Sequence, residues 1–431
     1  MSRKRWGASV LLAGALSLIT GAVAAPAQAH QQHSDGARTV GYYTQWSIYD
    51  RHVPVSTLVT SGAAAKLTTL NYAFGFLDEA GRCVSADPWA DFQRPVPAEE
   101  AVNGVADAPG QALNGNLNQL RELKAKFPKL RINISLGGWT GSKYFSNAAL
   151  TPESRAASVR SCVDQWIKGD IAGPGVAAGI FDGVDIDWEW PGSAGNDRNV
   201  IRPEDKQNFT KLLAEYRLQL GKLGRTTRKS YDLTAFLTAN PTALDAGFEV
   251  SKVFSLLTFA TVQGYDFHGT WEPLTNQQSA LRSPAADPTK ADFSSQTAVD
   301  ALLKRGAPRS KVVLGVPFYG HGWTGVTNQN HGLFQPSTGA APSRFDAGTE
   351  DYKALRDLVT AGTYKVYRDN TAGHAWIFDG STFWTYDDPM EMRRKARYIN
   401  DRGLGGAMIW SLDGDTTNGE LISALHDGLC H

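Results

Sequence analysis

Cysteine is scarce in this sequence, which excludes a small scaffold held together by several disulfide bonds. Only three cysteines occur among 431 residues, at Cys83, Cys162 and Cys430. Their spacing matches none of the patterns that place zinc-binding cysteines a few residues apart. One disulfide bond with one thiol left over is compatible with this number, and the spacing does not indicate which two cysteines pair.

The sequence also lacks an excess of either charge. Lys and Arg together number 43, as do Asp and Glu, so the formal net charge at pH 7 is zero. No overall electrostatic field therefore points to a nucleic acid or a membrane surface as a partner. Hydrophobic residues make up 42% and charged residues 20%, proportions that argue against a disordered chain and are ordinary for a soluble globular enzyme.

Long apolar runs are absent except near the N-terminus. Arg3-Lys4-Arg5 precedes the apolar stretch Val10–Ala25, and the small-x-small sequence Ala27-Gln28-Ala29 follows it. This order predicts a signal peptide over residues 1–29, cleavage before His30 and a secreted, extracellular product. A membrane anchor is the alternative, but the run is short for a bilayer span of about 20 residues. The sequence leaves open whether the Sec or the twin-arginine route exports the chain.

Eight β-rich apolar runs follow one another along the chain, with helix-like segments between several of them. The runs are Thr39–Trp46, Leu67–Leu77, Leu130–Leu136, Phe181–Glu189, Tyr231–Thr238, Leu257–Phe267, Lys311–Tyr319 and Gly405–Leu412. Repeated alternation of strand and helix predicts a parallel sheet. Eight such units favour an α/β fold closed into a (β/α)₈ barrel, with an open doubly wound sheet as the alternative.

Three segments show the three- and four-residue apolar spacing of an amphipathic helix: Leu117–Phe127, Pro203–Leu223 and Pro389–Asp401. Two connections are too long for simple barrel loops. The first, from Asp78 to Gly115, has little periodicity and predicts an excursion at the top of the barrel.

The second long connection runs from Tyr319 to Gly405. Three short runs within it, Thr363–Tyr367, Ala375–Phe378 and Thr382–Tyr386, are separated by turn residues and predict antiparallel strands. We expect an inserted module here that forms one wall of a cleft at the catalytic face of the barrel.

The run Phe181–Glu189 carries acidic residues at every second position. Because side chains of a strand alternate between its two faces, Asp185, Asp187 and Glu189 share one face and the apolar residues between them share the other. The apolar face suits the outer helices, so the acids are expected to point into the barrel, with Glu189 nearest its carboxyl end. Ionising three neighbouring carboxyl groups together is energetically unfavourable, so at least one of them should have a raised pKa. A carboxyl group that keeps its proton near neutral pH can serve as a general acid.

Two other interpretations of the acidic run were weighed. An exposed strand often carries alternating acids simply as a solvated face, but Phe181, Val184, Ile186, Trp188 and Trp190 make this strand look buried. A divalent metal site is the second alternative, and the segment lacks the loop glycine and the downstream glutamate of a calcium hand. We therefore expect no metal ion and no cofactor.

At this point a resemblance is plain. Asp182-Gly183-Val184-Asp185-Ile186-Asp187-Trp188-Glu189 resembles the D-G-x-D-x-D-W-E signature of family 18 glycoside hydrolases. In the same order along the chain, Ser135–Trp139 resembles the family's S-x-G-G motif, Tyr265–Gly269 its Y-D motif, and Leu314–Gly320 and Gly406–Asp413 its seventh and eighth strands. The resemblance extends from about Val40 to the C-terminus. It implies a catalytic (β/α)₈ TIM barrel over residues 30–431, with a small α+β insertion at residues 322–388, between strand 7 and strand 8, as in bacterial-type chitinases.

The resemblance also implies roles for five residues in a retaining, substrate-assisted mechanism, in which the 2-acetamido oxygen of the substrate attacks the anomeric carbon. Glu189 is expected to protonate the glycosidic oxygen and later to activate water. Asp187 would orient the acetamido group and stabilise the oxazolinium ion, and Asp185 would share a proton with Asp187. Tyr265 is expected to hydrogen-bond the acetamido oxygen, and Asp266 the sugar or amide nearby.

The other expected substrate-binding residues are mostly aromatic. Trp410 is expected to form the floor beneath the distorted sugar, and Trp46, Trp139 and Trp271 to line further subsites. Tyr42 and Tyr319 are expected in the wall of the cleft. Ser135 is expected to be a hydrogen-bond partner beneath the carboxylates, and Gly138 belongs to the same motif as Ser135. Gln263 and His321 depart from the family pattern, in which Met and Arg are common, and this puts the subsite preference in question.

The function implied is that of a chitinase acting on chitin and chitooligosaccharides as a monomer, without a nucleic-acid or membrane partner. With no separate carbohydrate-binding module recognisable after Cys430, we expect a lone catalytic unit. Two alternatives remain, an endo-β-N-acetylglucosaminidase and a non-catalytic chitin-binding lectin. Glu189 argues against the lectin, because such proteins typically lose the terminal acid of the motif.

Overall fold

The computed structural model describes residues 36–430. The predicted signal peptide, residues 1–29, lies outside this part of the chain. Within it, no helix combines the length and the apolar character needed to cross a bilayer.

The strands of residues 36–430 fall into two sheets. In chain order they are β1 (Arg38–Thr44), β2 (Thr69–Leu77), β3 (Cys83–Ser85), β4 (Arg131–Gly137), β5 (Gly183–Asp187), β6 (Asp232–Leu237), β7 (Phe259–Val262), β8 (Val312–Pro317), β9 (Tyr319–Thr324), β10 (Gly339–Ala340), β11 (Thr349–Asp351), β12 (Lys365–Asp369), β13 (His374–Phe378), β14 (Phe383–Tyr386) and β15 (Gly406–Trp410).

The helices lie mainly between the strands of the larger sheet. They are α1 (Thr57–Thr60), α2 (Gly115–Lys126), α3 (Gly138–Gly141), α4 (Phe145–Ala149), α5 (Pro152–Cys162), α6 (Asp205–Thr227), α7 (Pro241–Gly247), α8 (Val250–Leu256), α9 (Ser295–Lys304), α10 (Tyr352–Thr360), α11 (Pro389–Arg402) and α12 (Glu420–Leu429). Short 3₁₀ helices at Gln45–Ile48, Ala98–Glu100, Arg309–Lys311, Asn330–Gly332 and Leu412–Gly414, and π-helical turns at Trp89–Gln93 and Val163–Ile167, complete the set.

Eight parallel strands close into a barrel. Strands β1, β2, β4, β5, β6, β7, β8 and β15 pair side by side in this order, and β15 pairs with β1. Each of the eight runs identified in the sequence overlaps one of these strands. The predicted (β/α)₈ barrel is therefore confirmed, and the open doubly wound sheet is excluded because an open sheet has two unpaired edges.

Strand β5 shows why the chain folds with its acids inward. Val184 and Ile186 are fully buried on the outer face of the strand. Beyond the strand's end, the Trp188 ring stacks on Phe145 of α4 at 5.5 Å and contacts Phe209 of α6 edge-on at 6.0 Å. Burial of such side chains stabilises each by about 1.5–3 kcal/mol, which holds the apolar face of β5 against the helices. The acidic residues are left facing the barrel axis.

Helix α11 illustrates how local signals set an element's bounds. The Asp388 side chain accepts hydrogen bonds from the backbone N–H groups of Met390 and Glu391, at 3.0 and 3.2 Å, and Pro389 occupies the first turn. Gly403 ends the helix in a left-handed conformation, with φ of 61°. The sequence prediction of Pro389–Asp401 differs from the observed helix by one residue.

A second, antiparallel sheet lies between barrel strands β8 and β15. Its strand order is β10, β9, β14, β13 and β12, and β11 also pairs with β9. Trp323, Trp376, Phe378 and Phe383 form a separate apolar cluster within it. The three strands expected from the sequence appear as β12, β13 and β14. The sheet also includes β9, so it begins at Tyr319, directly after the barrel strand, rather than at residue 322.

The long connection after β2 is anchored at the carboxyl ends of the barrel strands. Asp91 within it is buried and accepts hydrogen bonds from Gln45 at 2.9 Å, from Tyr72 and from Ser85. Gln45 directly follows β1, so the excursion lies at the expected end of the barrel.

A disulfide bond joins this connection to the helical layer. It links Cys83, at the start of β3, to Cys162, at the end of α5, with a Cα–Cα distance of 4.8 Å. Cys430 is exposed and unpaired. The structure thus supplies the pairing that the sequence left open.

We predict that replacing Cys83 and Cys162 together by Ala lowers the free energy of unfolding by about 2–4 kcal/mol, because the bond constrains 79 residues of unfolded chain. Chemical denaturation under non-reducing conditions measures this change. The matched control is Cys430→Ala, which should leave the unfolding midpoint unchanged. An equal midpoint for the double variant and the parent would contradict a stabilising bond.

Candidate active site

Three of the four acids of the motif lie along β5 and just beyond its carboxyl end, at successive levels. Asp185 lies inside the strand, Asp187 ends it, and Glu189 follows two residues later. Asp185 and Asp187 are buried, whereas Glu189 is partly exposed. Asp182, the first acid of the motif, lies on the other side of the strand's start, where it pairs with Lys124 at 2.5 Å and accepts a hydrogen bond from the Ile132 backbone. Asp182 is therefore a structural residue.

Asp185 is enclosed by hydroxyl groups from three other strands of the barrel, β1, β4 and β6. The Tyr42 and Ser135 hydroxyls each donate to Oδ2 at 2.7 Å, and Thr234 donates to Oδ1 at 2.6 Å. The register explains the last two contacts, because Ser135 of β4 and Thr234 of β6 lie directly opposite Asp185. Burial raises the pKa of Asp185, and the three hydroxyl donors act to lower it. Ser135 is where the sequence placed it, and Thr234 was missed.

Asp187 lacks the partners that Asp185 has. Its Oδ1 is buried and receives no hydrogen bond from residues 36–430. Burial, followed by the charges of Glu189 and Asp185, raises the pKa of Asp187 well above its usual range. The expected proton sharing between Asp185 and Asp187 is not visible as a hydrogen bond in this structure. Asp187 instead keeps one buried oxygen without a hydrogen-bond partner among the described residues.

Two glycines, at the end of β4 and at the start of α3, allow this close packing. Gly137, with φ of 113°, faces Asp187 so closely that a Cβ would lie 2.1 Å from the Asp187 carbonyl oxygen. Gly138, with φ of 76°, would place a Cβ 2.6 Å from the ring of Phe74. Side chains other than hydrogen are excluded at both positions. Gly138 thus contributes to the site by leaving room for the ring of Phe74.

Glu189 is held through its backbone, which leaves its carboxyl group facing the cleft. Its N–H donates to Ser142 Oγ at 2.9 Å, and its carbonyl oxygen accepts from Asn199 at 2.7 Å. Burial in the site, and next the charge of Asp266, raise the pKa of Glu189 to about 8. Glu189 can therefore hold a proton at neutral pH, as a general acid requires. Ser142 and Asn199 carried no motif signal in the sequence.

Tyr265 and Asp266 lie beyond the end of β7, which is separated from β5 by one strand, β6. Tyr265 is 5% exposed, and burial with the charges of nearby acids raises its pKa well above the usual value, so the hydroxyl stays a donor. Asp266 adopts a left-handed conformation with φ of 56°. Its Oδ1 accepts from the Tyr319 hydroxyl and lies 2.8 Å from His321 Nε2. Tyr319 and His321 both belong to β9.

An aromatic floor lies beside the acids. The half-buried Trp410, at the end of β15, stacks on Phe74 with ring centroids 5.7 Å apart and planes 23° apart. The edge of Tyr42 supports it at 5.3 Å, and Trp46 packs on Phe74 at 6.0 Å. Tyr42 corrects an expectation: it is 1% exposed, so it lies beneath the site and not in the wall of the cleft. Phe74 was not identified from the sequence.

Two further tryptophans present open faces to solvent. Trp139, in α3, is 52% exposed, and Trp271, after β7, is 62% exposed. Trp271 contacts His321 edge-on at 5.4 Å, which places it beside the antiparallel sheet. Exposed indole rings of this kind suit the apolar faces of flat, polar ligands.

Together these residues support acid–base chemistry in a partly enclosed cleft. Glu189 with its raised pKa and the unsatisfied Asp187 lie at the end of β5, and the hydrogen-bond donor Tyr265 lies beyond the end of β7. Within residues 36–430, no three His, Cys, Asp or Glu side chains are grouped as a metal site would require.

The sequence matches the glycosyl hydrolases family 18 over residues 38–415. It is 36% identical to Chitinase 63 of Streptomyces plicatus over 90% of this chain and 60% of that protein. It is also 36% identical to Chitinase C of Streptomyces lividans, over 88% of this chain and 58% of that protein. The chain thus spans only about three fifths of the length of these relatives.

A solved structure gives a fuller match. The catalytic domain of psychrophilic chitinase B from Arthrobacter TAD20 superimposes with a TM-score of 0.87 and 42% sequence identity. The match covers 91% of this chain and 95% of that domain.

We predict that Glu189→Gln raises the free energy of unfolding at neutral and mildly alkaline pH by about 1–3 kcal/mol. The folded-state pKa of about 8 exceeds the unfolded value of 4.5, so ionisation of Glu189 opposes folding as the pH rises from 4.5 to 8. Urea denaturation at pH 4, 6 and 8 should show a gain that grows with pH. The exposed Glu99→Gln serves as control, and a gain independent of pH would contradict the raised pKa.

Proposed function

Because this chain belongs to family 18 of the glycosyl hydrolases, we propose that it hydrolyses β-1,4 linkages between N-acetylglucosamine units in chitin and chitooligosaccharides. The observation that carries the proposal is the placement of Asp187 and Glu189 at the carboxyl end of a barrel strand, where burial raises the pKa of both carboxyl groups. The names of the matched relatives and of the superimposed catalytic domain agree with this substrate.

In the first step, Glu189 gives its proton to the glycosidic oxygen as the bond from that oxygen to the anomeric carbon breaks. The carbonyl oxygen of the substrate's own 2-acetamido group bonds to the same carbon, which yields a cyclic oxazolinium ion. In the second step, Glu189, now a carboxylate, takes a proton from water while the water oxygen attacks the anomeric carbon. The ring opens, Glu189 regains its proton, and the configuration at the anomeric carbon is retained.

Asp187 is suited to the acetamido N–H. Its Oδ1 is buried without a donor, an arrangement that costs about 1–3 kcal/mol for an unsatisfied polar atom. An N–H brought by the substrate supplies the missing hydrogen bond and favours the ionised carboxyl group. The charge of Asp187 would then stabilise the positive oxazolinium ion.

Tyr265 is suited to the acetamido carbonyl. Its high pKa keeps the hydroxyl protonated, so it can donate to the oxygen that attacks the anomeric carbon. The donor holds that oxygen in line for attack, which raises the rate by orientation. Trp410 would support the sugar ring from below, while Trp46, Trp139 and Trp271 would line the remainder of the groove.

The enclosure of Asp185 argues against a carboxylate nucleophile. Most retaining glycosidases use a second carboxylate about 5 Å from the acid. Asp185 has three hydroxyl donors around it and lies deeper in the barrel than Asp187. It is therefore better placed to tune Asp187 than to attack the substrate, and the attacking group comes from the substrate itself.

The antiparallel sheet favours a long linear substrate over the two alternatives. Strand β9 places Tyr319 and His321 against Asp266, so the sheet adds a wall to the groove. A walled groove suits chitin better than a branched glycoprotein glycan, the substrate of an endo-β-N-acetylglucosaminidase. The presence and raised pKa of Glu189 argue against a non-catalytic lectin.

Secretion and a monomeric state are parts of the same proposal. The disulfide bond between Cys83 and Cys162 is of the kind that persists in an oxidising compartment, which supports export by the signal peptide expected at residues 1–29. Soluble oligosaccharides and chitin are the only partners that the proposal requires.

We predict that the parent protein releases short N-acetylated oligosaccharides from chitin hexasaccharide and that Glu189→Gln lowers kcat roughly 10²- to 10⁴-fold. Chromatography of products over time measures both. Early dominance of the disaccharide would indicate exo action, and a mixed ladder endo action. Glu99→Gln should keep the parent rate. Near-parental turnover by Glu189→Gln would refute the proton donor, and an inactive parent would refute the substrate.

A further inference from the structure

The carboxylate of Asp266 is held by donors on one oxygen only. Oδ1 accepts from the Tyr319 hydroxyl and from Nε2 of His321 at 2.8 Å. Oδ2 receives no hydrogen bond from residues 36–430, and the side chain is 35% exposed. Two donors on one oxygen restrict rotation of the carboxyl group, so Oδ2 points toward the cleft with its lone pairs free.

The backbone of Asp266 is also tied to the antiparallel sheet. The fully buried Gln278 accepts from the Asp266 N–H through Oε1 at 3.4 Å and donates through Nε2 to the Tyr319 carbonyl oxygen at 2.9 Å. Its own carbonyl oxygen accepts from the Phe267 N–H at 2.9 Å. Gln278 thus links the left-handed turn at Asp266 to β9.

His321 is fixed on its far side by the antiparallel sheet. The ring is 7% exposed, and its Nδ1 lies 3.2 Å from the Gly348 carbonyl oxygen and 3.4 Å from the Thr349 hydroxyl. The rings of Tyr319 and Trp271 pack edge-on against it at 5.5 and 5.4 Å. Nε2 faces a carboxylate oxygen, which can only accept a hydrogen bond, so this nitrogen is assigned the proton that it donates to Asp266. The ring therefore has one well-defined position, with its N–H directed at Asp266.

We propose that His321 is a positioning residue, which holds the Asp266 carboxylate so that its free oxygen can accept a hydrogen bond from the bound sugar. The inference rests on the proposed function and deepens it, because it assigns to the inserted sheet a share in substrate binding. In this role His321 acts on the substrate only through Asp266. An N–H directed at a charged acceptor is among the stronger hydrogen bonds in proteins.

A double-mutant cycle tests this role. His321→Leu removes the N–H at similar volume, and we expect kcat/KM on chitin hexasaccharide to fall roughly tenfold to a hundredfold, which is the usual effect of losing a hydrogen bond to a charged group. In the Asp266→Ala background the same substitution should change kcat/KM by less than about twofold, because the carboxylate that His321 positions is no longer present. An equal loss in both backgrounds, or no loss in either, would overturn the proposal.

A second pair of variants tests the same role if His321→Leu does not fold. His321→Gln keeps an N–H at a reach similar to Nε2 and should retain most of kcat/KM, whereas the shorter His321→Asn should lose as much as His321→Leu. Equal activity of the Gln and Asn variants would also overturn the proposal. His426→Leu, on α12 away from the cleft, controls for loss of a histidine as such, and melting temperatures report on folding.

The outcomes separate this inference from the proposed function. A parent protein that does not cleave chitin hexasaccharide contradicts the function. An active parent whose His321 variants behave alike in both backgrounds contradicts the positioning role alone.

Discussion

The crowding of three carboxyl groups at the carboxyl end of β5 is the constraint on which the site depends. Alternation along the strand directs Asp185 and Asp187 into the barrel, and Glu189 follows at its rim. Carboxylates this close together repel one another and lose the solvation of water, so the pKa of each carboxyl group is raised. The surrounding residues provide different numbers of hydrogen-bond donors to the three carboxyl groups. Asp185 receives three hydroxyl donors, Asp187 has a bare oxygen, and Glu189 has a pKa near neutrality.

Residues outside and inside the barrel hold these carboxyl groups in position. Outside the barrel, Trp188 packs between α4 and α6 and holds β5 in the register that faces its acids inward. Inside, Gly137 permits the approach of β4 to Asp187. Beyond β7, two strands from β5, Asp266 joins the acids to the inserted sheet through His321. The site is thus built from residues of several strands that are far apart in sequence.

The sequence predicted the features that depend on local pattern. The period-two alternation of β5 placed its acids, strand and helix rhythm indicated the barrel, and Pro389 and Gly403 marked α11. Contacts between distant segments were beyond such reasoning. Thr234 and Ser142 have no motif of their own, because their roles come from strand register and a loop that returns to β5. Tyr42 was assigned to the cleft wall because exposure cannot be inferred from its position at the end of a strand run.

The central claim is that Glu189 keeps its proton at neutral pH in the folded protein. Nuclear magnetic resonance of protein carrying ¹³C-labelled glutamate measures it directly, with the Glu189 carboxyl signal assigned by its absence from Glu189→Gln. The account predicts that this signal titrates with a pKa of about 8, far above the usual value of 4.5. A transition of the Glu189 signal near 4.5 would contradict the account.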